Sequence, residues 1–139
     1  PLSDMGARAG SIITAISAAG LIVCSAAVIP YLNPASLAQF PGFVKIMLAM
    51  FFFAGIGNAS TFRQIPVIFS HNPRQGAGVL GWTAAVAAYG PFIFAMLIGA
   101  SISRFQSAKY FFFGAIAFYA VSFAINYRYY LRGNAERPC

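Results

Sequence analysis

Charged residues are scarce in this 139-residue chain: nine are Lys or Arg, and Asp4 and Glu136 are its two acids. They make up 8% of the sequence, against roughly a quarter in soluble domains, which excludes an ordinary water-soluble fold. Histidine occurs once, as His71, and cysteine twice, as Cys24 and Cys139. A single histidine excludes a bis-histidine haem, and no His, Cys, Asp and Glu group has metal-ligand spacing. Neither cofactor nor metal is expected. Cys24 falls inside an apolar run and Cys139 at the final position, too far apart in membrane depth to form a disulfide. Neither acid lies in an apolar run, so no intramembrane carboxylate is available to carry protons or bind cations. That absence excludes small multidrug pumps built on a buried glutamate and makes an enzyme difficult to assemble. Passage of something neutral or negative, or a structural role, remains.

What is present is 60% hydrophobic, with a mean hydropathy of +0.74. The net charge of +7 is spread between apolar runs rather than clustered on a polar face, so no nucleic-acid partner is expected. A helix needs ~20 apolar residues to cross a membrane, and the gaps between charges hold four such runs, at about 10–29, 42–65, 78–102 and 109–127. The runs are continuous rather than alternating, which argues against β-barrel strands. The expected fold is an all-α membrane protein with four transmembrane helices in one region, 1–139. Placing both ends in the cytoplasm puts Arg8, Arg63, Arg74, Arg128, Arg132 and Arg137 inside and Lys45, Arg104 and Lys109 outside, as the positive-inside rule requires. Pro1 is not an initiator methionine, and Pro1 to Arg8 reads as a loop already under way.

Three segments bear on function. In the second span, Gly55 and Gly57 let a neighbouring backbone approach, while Asn58, Ser60 and Thr61 offer hydrogen bonds that lipid cannot. Asn58 serves either as polar glue between helices or as a substrate contact; Arg63 reads as a snorkelling anchor, with Pro66 bending or ending the helix. In the third span, Gly78, Gly81, Ala85 and Ala88 recur at spacings of three and four. Such a stripe suits close helix packing or backbone approach to a small substrate, with Thr83 and Tyr89 as donors. Pro91 beside Gly90 frees the carbonyl of Ala87 and predicts a kink. In the fourth span, Phe111, Phe112, Phe113, Phe118, Tyr119 and Phe123 read as lipid-facing, so Phe112→Leu is expected to be nearly silent. Tyr127, Tyr129 and Tyr130 read as an interfacial belt without a substrate role.

Gly55-Ile-Gly-Asn-Ala-Ser-Thr-Phe-Arg63, followed by Ile65-Pro-Val-Ile-Phe69, resembles the tenth helix of the nitrate/nitrite porter family of the major facilitator superfamily. Leu80-Gly-Trp-Thr-Ala-Ala-Val-Ala-Ala-Tyr-Gly90 resembles that family's second nitrate signature, in the eleventh helix, and Leu2-Ser-Asp-Met-Gly-Ala-Arg8 its loop between helices eight and nine. The resemblance implies the last third of a twelve-helix fold, helices nine to twelve, within a nitrate/nitrite transporter of the inner (plasma) membrane that works by alternating access. It implies nitrate and nitrite as substrates, with membrane lipid and the N-terminal helices of the same transporter as partners. The family's two principal arginines belong to helices two and seven, so this segment alone is expected to be inactive. The resemblance gives Gly81, Ala84 and Ala85 to the substrate site, and Thr83 and Asn58 join them as candidate donors. Gly55, Gly57, Gly78, Gly90 and Pro91 are candidate hinge or packing positions. Departures are Ala84 where serine is frequent, and Ala87 and Pro91 in place of common glycines. A self-contained four-helix structural or interaction subunit, or a major facilitator porter for another small solute, are the alternative readings.

Overall fold

A computed structural model describes residues 2–34 and 36–132, with side chains from Ala9 onward. Four long helices follow one another: α1 (Leu2–Val28), α2 (Phe40–Ile68), α3 (Pro73–Phe105) and α4 (Lys109–Asn126). All four carry a stretch long and apolar enough to cross a membrane, within Ala9–Tyr31, Leu37–Ile68, Pro73–Phe105 and Lys109–Leu131. No strand occurs among the described residues. The chain is therefore all-α, with four membrane-spanning helices.

The helix ends follow local chemistry. α1 passes into a short 3-10 turn (Ile29–Tyr31) at Pro30, which lacks the donor needed to continue the ladder. α2 has Pro41 in its first turn, where a missing N–H costs nothing. α3 opens with Asn72 as N-cap, its Oδ1 accepting from the Gln75 N–H at 3.2 Å, and with Pro73 behind it. It closes at Gln106, which takes a left-handed φ of 55° and donates its N–H to the Ile102 carbonyl at 2.8 Å. The Ser101 hydroxyl donates to the Ser107 carbonyl at 2.8 Å, pinning the tight turn into α4.

α2 runs on past Pro66 to Ile68 and α3 past Pro91 to Phe105. Their connection is only Phe69–Asn72, which puts Arg74 in the first turn of α3. Two expectations need correcting. The Leu2–Arg8 stretch is helical and belongs to α1 rather than to a loop. α4 is not simply lipid-facing: Phe112 (6% exposed), Ala115 and Asn126 are buried, while Phe113 and Phe118 remain exposed. Cys139, Glu136 and Arg137 lie outside the described residues.

α1 is the most buried helix and packs against both α2 and α4. Its inward faces are small: Ala15, Ala18, Leu21, Cys24 and Val28 are buried, with Ser11, Ser17 and Ser25 beside them. Lipid tails are as apolar as leucine, so helices associate through close backbone approach and hydrogen bonds rather than hydrophobic segregation. Contacts between α1 and α2 run in opposite directions along the two helices, from Gly42 against Tyr31 to Gly10 against Gln64, so the pair is antiparallel. Asn126 Nδ2 donates to the Ser11 carbonyl at 2.8 Å and ties the end of α4 to the start of α1. Arg63, Arg74, Arg128 and Arg132 thus gather near the end of the bundle where α1 begins. Lys45, Arg104 and Lys109 gather near the other end.

Candidate functional site

The polar signature of α2 is read mainly by α1. Gly57, Ser60 and Gln64 recur at spacings of three and four and share one helix face, as do Gly10, Thr14 and Ser17 on α1. The two stripes meet. A methyl at Gly57 would collide with Ser17 Oγ and lie 3.1 Å from Ser17 Cβ. This close approach lets the Ser17 hydroxyl donate to the Phe53 carbonyl at 2.6 Å. Thr14 and Ser60 hydroxyls lie 2.7 Å apart, and Gln64 Nε2 donates to Thr14 Oγ1 at 3.1 Å. Thr14 also reaches the Gly10 carbonyl and Ser60 the Gly57 carbonyl, both at 3.0 Å. Each hydroxyl has one proton, so one of the pair donates across the seam while the other keeps its own-helix carbonyl.

Beside this seam, at the end where α1 begins, lies a cavity of about 530 Å³. Thr14, Thr61, Gln64, Thr83, Tyr129 and Tyr130 give it polar groups, and Ile65, Ile68, Phe69 and Val79 an apolar wall. Thr61 Oγ1 donates to the Gly57 carbonyl at 2.8 Å, so its proton is committed and its lone pairs face outward. No Lys, Arg, Asp or Glu lines the cavity, and no metal-binding group occurs among the described residues. The cavity can accept and donate hydrogen bonds, but its lining offers no formal charge to neutralise an ion.

The structure places the sequence-predicted residues on separate surfaces. Thr83 is half-buried and faces this cavity, whereas Gly81, Ala84 and Ala85 are exposed on other sides of α3. Asn58 is exposed on α2. Gly55, Gly78, Gly81 and Gly90 have nothing within 4 Å of the position a Cβ would take, so among the described residues those glycines meet no neighbouring helix there; Pro91 is exposed. Gly57 alone of the hinge and packing candidates sits in a tight contact. Sequence reasoning missed Thr14 and Gln64 in the seam and Tyr129 and Tyr130 in the cavity. The matching Gly10-Thr14-Ser17 and Gly57-Ser60-Gln64 spacings were the available signal for the seam. Nothing in the sequence marks the two tyrosines, because a five-residue π turn, Tyr127–Leu131, carries them past the end of α4.

Over all 139 residues the chain is 50% identical to a Thermus thermophilus protein described as a probable nitrate/nitrite antiporter, NarK2. The similarity to that protein extends along the whole length of the chain. The chain spans 30% of the length of that relative. No protein-family model matches it, and no solved structure does. The match spans the whole chain, so both glycine-bearing segments fall within the aligned region.

Proposed function

We propose that the chain is part of a transporter that moves nitrate and nitrite across the inner (plasma) membrane by alternating access. The observation that carries this reading is the 50% identity to the Thermus thermophilus antiporter across the entire chain. Both ends of the segment lie in the cytoplasm in this account, because the end with Arg63, Arg74, Arg128 and Arg132 is the more basic one. The open side of α3, with Gly81, Ala84 and Ala85, forms part of the substrate wall. Small residues there let a planar anion approach the backbone, and the exposed amide of Asn58 on α2 is a hydrogen-bond donor. Thr83 serves the same pathway from the cytoplasmic cavity. The cations that neutralise the anion come from helices outside this segment, so the segment by itself moves neither ion.

Electrostatics supports the same reading. A carboxylate near a bound nitrate would repel it strongly in a low-dielectric cavity, and no Asp or Glu stands between Asp4 and Glu136. The test is nitrate entry into proteoliposomes holding the full-length protein that contains this segment. Saturable entry above protein-free vesicles is expected; entry no faster than in protein-free vesicles overturns the proposal.

A further inference from the structure

Among the described residues, the cations at the α3–α4 end of the bundle have no carboxylate counter-ion. Arg104, Lys109 and Lys45 lie there, and no described side chain is a carboxylate. Asp4 is in the first turn of α1, at the opposite end.

Arg104 is not merely at this end; it caps a groove. Between α3 and α4 lies a cavity of about 540 Å³ whose walls include Phe94, Leu97, Phe111, Gly114 and Phe118, with Arg104 at its mouth. On α3, positions 94, 97, 101 and 104 follow at three, four and three; on α4, 111, 114 and 118 follow at three and four. Each set is therefore one helix face, and the two faces oppose. Phe94 and Phe111 meet edge to face at 5.7 Å, and Phe105 rests on Tyr110 at 4.4 Å. The groove thus combines an apolar, largely aromatic wall with the Arg104 guanidinium and Tyr110 in one lining.

We propose that this groove binds an anionic phospholipid, with its phosphate on Arg104 and one acyl chain lying between the Phe94–Leu97 and Phe111–Phe118 faces. Arg104 selects the headgroup by charge and by its forked donors, and the open Cα of Gly114, with nothing within 4 Å of a Cβ, leaves room for the chain. Nothing in this assignment depends on nitrate transport.

Native mass spectrometry of the purified full-length protein, incubated in detergent with phosphatidylglycerol or phosphatidylcholine, tests it. Wild type should retain phosphatidylglycerol about fivefold over phosphatidylcholine, the factor that one cation near an anionic headgroup contributes. Arg104→Gln should abolish that preference, and Lys45→Gln, at the same end but outside the groove, should preserve it. Gly114→Phe should lower retention of both lipids, because its Cβ position is open and its ring occupies the groove. Equal retention of the two lipids by wild type overturns the proposal. So does a preference that survives Arg104→Gln or is lost in Lys45→Gln, or retention unchanged by Gly114→Phe.

Discussion

Replacing Gly57 by alanine adds one methyl group at the closest point between α1 and α2. Relief of glycine's backbone entropy should favour the helix by about 1 kcal/mol. Against that, the new methyl meets Ser17 Oγ and lies 3.1 Å from Ser17 Cβ, and overpacking of this kind costs about 1–3 kcal/mol. Turning the serine aside to relieve the collision breaks its 2.6 Å bond to the Phe53 carbonyl, worth about 0.6 kcal/mol between membrane helices. The balance is a net loss of roughly 0.6–2.6 kcal/mol. Ser17→Ala alone should cost about 0.6 kcal/mol, and the double variant should be more stable than the two losses added, because the oxygen that collides is gone. Equilibrium unfolding of the full-length protein in mixed micelles measures all three. Gly114→Ala, at an open position, is the control and should be neutral or stabilising by up to about 1 kcal/mol. A neutral Gly57→Ala, or strict additivity with Ser17→Ala, would refute the seam.

Other consequences separate the faces of each helix. Phe112→Ala should destabilise the protein by about 3–5 kcal/mol, as truncation of a buried aromatic does; Phe118→Ala, 58% exposed, should cost far less in the same unfolding measurement. Asn126→Leu removes the donor to the Ser11 carbonyl and should cost about 0.6–1.7 kcal/mol, visible as faster amide exchange at the start of α1; unchanged exchange would contradict the tie. Gly81→Leu should leave folding intact, since no atom of this chain lies within 4 Å of its Cβ position, yet abolish nitrate flux. Wild-type flux in that variant would remove the α3 face from the pathway.

The four helices were legible because charge is expelled from the bilayer interior, and each gap between charges is long enough to cross. The faces of those helices were less legible, for a physical reason. In water a buried stripe stands out as apolar against polar, whereas in lipid both sides are apolar and burial leaves no such period. Phe112 and Phe113 read alike in sequence, yet one is core and the other faces outward. The seam announced itself on α2 through Gly57 and Ser60, while its α1 half, Gly10, Thr14 and Ser17, looked like ordinary small residues. The break between α2 and α3 is shorter than the gap between the expected spans ending at 65 and starting at 78. Asn72 and Pro73 in fact start α3 only four residues after Ile68. For the candidate site, Gly81, Ala84 and Ala85 could be named from resemblance, but their open surroundings could not, since what covers them is supplied by packing rather than by local sequence.

The central claim, that this segment serves a porter of nitrate and nitrite, is tested most directly by counterflow. Proteoliposomes carrying the full-length protein and preloaded with nitrite should release it when nitrate is added outside and hold it when chloride is added instead. Nitrite release that is the same with either anion, or absent with both, would contradict the account.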